Sequence, residues 1–164
     1  MRTRPATPAD AAAIALIYNQ GIEDRVATFE TAPRNAEQIA PWFESKLPIV
    51  VVVGDADDVV GWAAAFAYAD RCCYAGIGEF SVYVRRDQRG RGVGEAAMQA
   101  LLVASETHGL WKLLSRAFPE NRASLALIDR LGFKQIGVHE KHGRLEGVWR
   151  DCVIVEKLID KNLF

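Results

Sequence analysis

The chain is poor in the residues that bind metals or form disulfides, since its 164 residues include only three cysteines and three histidines. Two of the cysteines, Cys72 and Cys73, are adjacent, and no CxxC pair or Cys/His spacing typical of a zinc site occurs. An odd set of cysteines without regular spacing cannot build a disulfide framework. We therefore expect reduced thiols, no metal and a cytoplasmic protein.

The sequence also lacks an excess of charge of either sign, because 20 basic residues face 21 acidic ones. We expect no nucleic-acid partner and no attraction to an anionic membrane, so any anion site must be local. No apolar run approaches the roughly 20 residues needed to span a bilayer, and the first residues contain no apolar signal core. These absences predict a soluble protein.

Half of the residues are apolar, which is enough for one core but, at this length, not for two ordinary domains. Residues 1–164 are therefore expected to form a single α/β (α+β) domain without repeats or linkers. Periodicity, caps and turns predict the element order β-α-α-β-β-β-α-β-α-β-β. The predicted helices cover residues 8–19, 33–47, 93–108 and 122–131. The predicted strands cover residues 2–4, 49–53, 59–68, 77–84, 113–118, 133–140 and 148–159, with a turn over 141–147.

The strand over residues 77–84 alternates in a way that fixes its two faces. Glu79 shares one face with Ser81 and Tyr83, whereas Phe80 and the valines of this strand occupy the other. A carboxylate is thereby placed on the face of a predicted central strand.

A segment rich in arginine and glycine, Gln-Arg-Gly-Arg-Gly-Val-Gly over residues 88–94, joins this strand to the long third helix. Free N–H groups at a helix start favour an anion, and glycine lets the backbone approach it closely. Arg89 and Arg91 add positive charge. The segment predicts a phosphate site, although a basic turn shaped by its glycines is an alternative interpretation.

Two other phosphate motifs compete with this interpretation. A Walker A loop is absent, which argues against P-loop chemistry. Residues 92–97 do fit the dinucleotide pattern GxGxxA, but that motif belongs in a first βαβ unit followed by a ribose-binding acid. The nearest acid, Glu120, lies beyond Pro119. A dinucleotide-dependent oxidoreductase therefore stays as the alternative.

Arg89, Gly92 and Gly94 meet the pattern [QR]-x-x-G-x-[GA], by which the chain resembles the GNAT superfamily of N-acetyltransferases. The resemblance implies a mixed, mostly antiparallel sheet of about seven strands flanked by four helices, with acetyl-CoA as cosubstrate. The strands over 77–84 and 113–118 are expected to splay apart, and the first of them to pair with pantetheine like an added strand. The residues so assigned to the cofactor are Val82, Tyr83, Val84, Arg89, Gly90, Arg91, Gly92, Val93, Gly94, Glu95, Asn121 and Ser124.

Within that superfamily the chain resembles the phosphinothricin, methionine sulfoximine and arsinothricin N-acetyltransferases. The matching pieces are Ile-Tyr-Asn at 17–19, Thr-Phe-Glu at 28–30, Glu-Phe-Ser-Val-Tyr-Val at 79–84, Asp-Gln-Arg-Gly at 87–90 and Trp-Arg-Asp at 149–151. The resemblance implies acetylation of the α-amino group of a small amino acid or toxic glutamate analogue, resistance to that compound, and a homodimer. The resembling enzymes often carry arginine near position 75, where this chain has Ala75.

Acetyl transfer to an amine needs a group that accepts a proton, and Glu79 matches the strand glutamate that serves as base in the resembling enzymes. We expect direct attack by the amine, because no histidine adjoins any cysteine in sequence to activate it. The residues predicted to bind the acceptor are Phe29, Arg71, Tyr74 and Arg150. A further hypothesis is a noncatalytic acyl-CoA-binding module in which Glu79 is idle.

Overall fold

The computed structural model describes all residues from Met1 to Phe164. The strands are β1 (Arg2–Pro5), β2 (Ile49–Val53), β3 (Val59–Ala67), β4 (Ile77–Val84), β5 (Lys112–Ala117), β6 (Lys134–Leu145) and β7 (Val148–Leu158). The helices are α1 (Ala11–Asp24), α2 (Ala36–Ile39), α3 (Val93–His108) and α4 (Arg122–Arg130). One seven-stranded sheet has the order β1-β2-β3-β4-β5-β7-β6. The predicted element order and fold class are confirmed.

Neighbouring strands are antiparallel everywhere except at the centre, where β4 and β5 are parallel. Their pairing is short and runs only from Ile77 opposite Lys112 to Glu79 opposite Leu114. Beyond Glu79 the two strands diverge, as predicted, and leave an opening in the middle of the sheet. A doubly wound dinucleotide-binding sheet would be largely parallel, so this topology argues against the oxidoreductase alternative.

Helices cover both faces of the sheet, and alternate residues of β2 pack into the cores on the two faces. Val50 and Val52 join the core beneath α3 and α4, whereas Ile49, Val51 and Val53 join the core beneath α1 and α2. A strand buried on both faces reads as a continuous apolar run, which is the pattern seen here. None of the helices combines the length and hydropathy needed to cross a membrane.

The chain enters α1 through a capping box formed by Thr7 and Asp10. The backbone N–H of Thr7 donates to the carboxylate of Asp10 over 2.8 Å, and the guanidinium of Arg4 donates to both oxygens of that carboxylate over 2.8 and 2.9 Å. The hydrogen bond from Arg4 lowers the pKa of the buried Asp10 and outweighs the cost of its burial. β1 and the start of α1 are thereby held together.

The predicted helix boundaries were wrong at two places. α1 was expected to end at Asn19 but continues to Asp24, with Gly21 buried inside it. The second helix was expected to run to residue 47, but α2 ends at Ile39 and a 3-10 helix follows from Ala40 to Ser45. Pro41 explains this second difference, because its missing N–H cannot continue the α-helical pattern.

The predicted turn over residues 141–147 was also wrong. β6 continues to Leu145, and the chain reverses at Glu146 and Gly147, whose φ angles are 52° and 79°. The strand register shifts between His139 and Gly143, where Lys141 has a φ of 47°. The polar and glycine-containing sequence therefore marks an irregularity within a long strand and not its end.

Candidate active site

The opening between β4 and β5 forms a cleft in the sheet, and this cleft extends to the start of α4. Its walls are formed by Ala27, Phe80, Ser81, Val82, Tyr83, Ser115, Arg116, Ala117, Asn121, Ser124 and Ile128. The hydroxyl of Ser115 donates to the carbonyl oxygen of Phe80 over 2.8 Å across the opening. This bond stands where a strand-to-strand hydrogen bond would otherwise be.

The alternation of the backbone decides which main-chain groups of β4 point into the cleft. The carbonyl of Phe80 faces β5, whereas the N–H of Arg85 donates to Val60 on the opposite side of the strand. Val82 and Val84 have the same parity as Phe80, so their N–H and C=O groups face the opening, where no strand pairs with them. This placement agrees with the predicted pairing with pantetheine.

Unlike Val82 and Val84, Tyr83 directs its main-chain groups away from the opening. Its backbone has the opposite parity and lies against Trp62 of β3. Its ring packs on the face of the sheet beneath α1 and α2. The ring centroid lies 5.1 Å from that of Trp62 and 5.0 Å from that of Tyr18. Tyr83 therefore borders the cleft without presenting a polar group to it.

The glycines between β4 and α3 adopt the conformation that the phosphate interpretation requires. Gly90 and Gly92 have φ angles of 73° and 81°, and open space surrounds the position of a Cβ at each. Gly92 is the N-cap of α3 and provides no side-chain cap, so the N–H groups of Val93, Gly94 and Glu95 lack helical partners. Such a helix start suits the negative charge of a phosphate.

The two arginines of this loop are in different situations. Nη1 of Arg89 lies 2.6 Å from the carboxylate of Asp24 at the end of α1, and its Nε donates to the carbonyl of Val84 over 3.2 Å. Burial disfavours the charged form of Asp24, but hydrogen bonds from Arg86 and Arg89 outweigh this and lower its pKa. Arg91 is exposed and forms no ion pair. Arg89 thus ties the loop to α1, while Arg91 is free to approach an anion.

The last residues assigned to the cofactor lie at the starts of α3 and α4. Asn121 caps α4 by accepting a hydrogen bond from the N–H of Ser124 over 3.3 Å, and both residues line the cleft. The carboxylate of Glu95 instead lies 4.0 Å from Arg130 and accepts a bond from Gln99. Only the backbone of Glu95 is therefore available at the helix start.

Glu79 is the last residue of β4 that pairs with β5, and the opening begins beyond it. Its Oε1 accepts a hydrogen bond of 2.6 Å from Nη2 of Arg116 in β5, and this bond raises the pKa of Arg116. Nη1 of Arg116 lies 3.3 Å from Nε2 of His142, whose ring stacks on that of His139. Sequence reasoning missed Arg116. The available signal was a cation in the mostly apolar strand over residues 113–118, which was expected to splay apart from the strand of Glu79.

The four residues predicted to bind the acceptor form two separate pairs. Phe29 packs edge-on against Phe118 at 4.8 Å, and the guanidinium of Arg150 lies 5.8 Å from the same ring. Arg71 lies over the ring of Tyr74 at 5.9 Å on the loop before β4.

Arg116 is linked to both pairs only through intervening side chains. Its electrostatic neighbours include Tyr68, which packs against Tyr74, and Cys152, which packs with Phe118. None of the four residues predicted to bind the acceptor forms an ion pair with Glu79.

The cysteines do not form a nucleophilic site. Cys152 is buried, and its burial raises the pKa of its thiol, which makes it a poor nucleophile. His139 is its cross-strand neighbour, but no hydrogen bond joins the two side chains. Cys72 and Cys73 are exposed on the loop before β4. No group of three or more His, Cys, Asp or Glu side chains is arranged to hold a metal ion.

Comparison with known proteins places this geometry among acetyltransferases. Residues 1–134 match the family model described as the acetyltransferase (GNAT) domain. The L-methionine sulfoximine/L-methionine sulfone acetyltransferase of Pseudomonas aeruginosa is 32% identical over 161 residues, which cover 96% of this chain and 94% of that protein. The phosphinothricin N-acetyltransferase of Alcaligenes faecalis is 32% identical over 154 residues, which cover 90% of this chain and 77% of that protein.

Solved structures show the same architecture. A phosphinothricin acetyltransferase from Sinorhizobium meliloti, crystallised in complex with acetyl-CoA, aligns with a TM-score of 0.89 and 28% identity over 96% of this chain and 87% of its own. A ribosomal-protein-alanine N-acetyltransferase from Brucella melitensis aligns with a TM-score of 0.91 and 27% identity over 97% and 100%. The two differ in the amine acceptor that their names state, so the fold alone does not select the acceptor.

Proposed function

Because the chain belongs to the GNAT family of acetyltransferases, we propose that it transfers the acetyl group of acetyl-CoA to the α-amino group of a small amino acid. Residues 1–164 act as one catalytic domain in this proposal. The observation that carries it is the opening beyond Glu79, where the N–H groups of Val82 and Val84 and the C=O group of Val82 have no strand partner and precede the uncapped start of α3. The relatives that act on methionine sulfoximine and phosphinothricin support the choice of acceptor.

The residues present fit acetyl-CoA, which supplies the activated acetyl thioester when bound. Val82 offers its N–H and C=O groups and Val84 its N–H group to an extended amide chain, and Asn121 lines the same cleft. The backbone N–H groups of Val93 to Glu95, with Arg91, offer donors and charge to a diphosphate. Gly90 and Gly92 leave the space that its close approach requires.

Glu79 accepts the proton that the α-ammonium must lose before its nitrogen can attack. The nitrogen lone pair then forms the N–C bond to the acetyl carbonyl carbon, the C–S bond breaks, the thiolate of CoA departs, and the second proton of the attacking nitrogen passes to water. Ile128, which lines the cleft on α4, is apolar and only 3% exposed, so this position provides no acid for the departing thiol. Because a thiol pKa near 8.5 permits a thiolate to leave unaided, direct attack without a general acid suffices.

The acceptor lies over the face of the sheet that carries Glu79. Phe29 supplies an apolar wall, and Arg150 supplies positive charge for a short acidic or sulfoximine side chain. Arg71 and Tyr74 border the opposite side on the loop before β4. An acylated amine no longer mimics glutamate, so the activity confers resistance to toxic glutamate analogues.

We extend the proposal to a cytoplasmic homodimer. The support for the dimer is the edge strand β6 and its neighbour β7, where Ile136, Val138, Val148 and Trp149 are each at least half exposed. Three unpaired cysteines support a reducing compartment. Light scattering of the purified protein tests the dimer, and a mass of 18.1 kDa in solution would contradict it.

A thiol-release assay with acetyl-CoA tests the function across phosphinothricin, methionine sulfoximine, methionine sulfone, arsinothricin, aminoglycosides and peptide amines. We expect release with the free amino acids. The variant Glu79→Gln should lose about 100-fold or more in kcat/KM, because general-base catalysis contributes about 10²–10⁴. Near-normal turnover of this variant would remove Glu79 from the mechanism.

Thermal-shift measurements with NADH and with acetyl-CoA distinguish the two alternative functions. A melting temperature that rises with NADH and not with acetyl-CoA would support a dinucleotide-dependent oxidoreductase. A rise with acetyl-CoA but no thiol release from any amine would support a noncatalytic acyl-CoA-binding module.

A further inference from the structure

We infer that Arg116 binds the α-carboxylate of the acceptor, so that Glu79 and Arg116 together recognise the zwitterionic head of a free amino acid. The inference rests on the proposed function and names a specificity residue for it.

The ion pair leaves donors and acceptors unused. Only Oε1 of Glu79 is engaged by Arg116, and Oε2 accepts no hydrogen bond. A guanidinium has five N–H donors, of which Arg116 uses one on Glu79 and directs another toward His142. The side chains of Glu79 and Arg116 are 30% and 42% exposed, so a small molecule can reach both.

The arrangement of charges matches an α-amino acid in size as well as in sign. The α-ammonium and α-carboxylate of an amino acid share one carbon, so the groups that bind them must be neighbours. The carboxylate of Glu79 and the guanidinium of Arg116 meet that requirement at 2.6 Å. An ammonium on Oε2 of Glu79 and a carboxylate on the remaining donors of Arg116 close a ring of alternating charges.

The other two predicted cations lie less favourably for the α-carboxylate. Arg71 is exposed on its loop and lies over Tyr74. Arg150 lies 3.7 Å from Glu120 and over Phe118, and it forms no ion pair with Glu79. Since the amine that reacts must be near Glu79, Arg116, which pairs with Glu79, is placed to bind the carboxylate on the same carbon atom.

Binding of the α-carboxylate by Arg116 predicts a preference for free amino acids, which the fold alone does not impose. A peptide N-terminus or an amino-acid amide presents a neutral amide where a free amino acid presents a carboxylate, and it leaves Arg116 without a second partner. We expect this enzyme to prefer free amino acids over peptide amines of the same side chain.

Steady-state kinetics with two matched acceptors, L-methionine sulfone and L-methionine sulfone amide, test the inference. In Arg116→Gln we expect KM for the free acid to rise about 100-fold, because a charge-assisted bond to the carboxylate is lost. KM for the amide should stay within about threefold of the wild-type value. Any disturbance of Glu79 lowers kcat for both acceptors alike, and therefore cancels when the two acceptors are compared.

Two further variants keep the test decisive. Arg116→Lys retains a positive charge without the fork of donors, and we expect an intermediate rise in KM for the acid alone. Arg144→Gln makes the same change as Arg116→Gln at a guanidinium that lies over Trp149, and it should leave both KM values unchanged. Retention of the acetyl-CoA-induced thermal shift shows that each variant is folded.

Equal changes in KM for the acid and the amide in Arg116→Gln and Arg116→Lys would overturn the inference, because Arg116 would then act only through Glu79. The proposed function fails in a different way, namely if the wild-type enzyme releases no CoA with any free amino acid. With an active wild-type enzyme, the ratio of the two KM changes alone decides the role of Arg116.

Discussion

Gly21 of α1 and Tyr83 of β4 are in direct contact, and a Cβ at Gly21 would lie 2.4 Å from Cε1 of the Tyr83 ring. The ring also packs on Trp62 and Tyr18, so it is enclosed on several sides. α1 can therefore approach β4 only because residue 21 has no side chain. Gly21 is therefore a packing residue within the helix, beyond the end at Asn19 that the sequence predicted.

We predict that Gly21→Ala lowers the melting temperature. In an exposed helix this change stabilises by about 1 kcal/mol, but here overpacking against Tyr83 costs about 1–3 kcal/mol. Thermal denaturation followed by circular dichroism measures the difference. A melting temperature at or above that of the wild type would show that the Tyr83 ring moves aside freely.

Acid should weaken the attachment of β1 to α1 through Asp10. Because Arg4 lowers the pKa of Asp10 below its unfolded value of about 3.9, the stabilisation is complete above that pH and is lost as pH falls through the folded-state pKa. We expect Asp10→Asn to cost about 2 kcal/mol at neutral pH, and less as the pH drops below 4. Urea denaturation at several pH values measures this.

The control for Asp10 is Asp55→Asn, since Asp55 is 99% exposed although it pairs with the N-terminus. Its unfolding curve should match that of the wild type at every pH. A constant difference between Asp10→Asn and the wild type down to pH 2 would contradict the role of the Asp10 charge.

Alanine substitutions at the two ends of α3 separate backbone strain from cofactor binding. Gly92 and Gly109 both have positive φ angles, 81° and 94°, with open space at the Cβ position. Each Gly→Ala change should cost about 1–2 kcal/mol of stability. Only Gly92→Ala should also raise KM for acetyl-CoA, by about tenfold or more, because a close backbone approach to the diphosphate is lost. An equal effect of both changes on KM would contradict the phosphate site at residues 90–94.

Thiol titration should divide the cysteines into two classes. Exposed Cys72 and Cys73 should react rapidly with a disulfide reagent, whereas buried Cys152, whose thiol pKa is raised, should react only on unfolding. The proposed direct attack by the amine predicts that Cys152→Ser keeps kcat within about threefold. A burst of acetyl-enzyme that disappears in this variant would instead establish a covalent route.

The parts of this fold that the sequence revealed are those with local causes. The alternation of residues 77–84 placed Glu79 correctly because a strand has a fixed period of two, and the capping box of Thr7 and Asp10 was visible because it spans one turn. The ends of α1 and β6 were misjudged because distant groups decide them. Arg116 was missed for the same reason, since only the register of β4 against β5 brings it to Glu79.

The early end of the β4–β5 pairing has a consequence for solvent exchange. Val82 and Val84 belong to a central strand, yet their cleft-facing amides have no strand partner and should lose their hydrogens to deuterium as edge amides do. Bound acetyl-CoA should slow this exchange, while the amides paired between β2 and β3 should keep their rates. The central strand is therefore fully protected from exchange only while acetyl-CoA is bound and shields it from water.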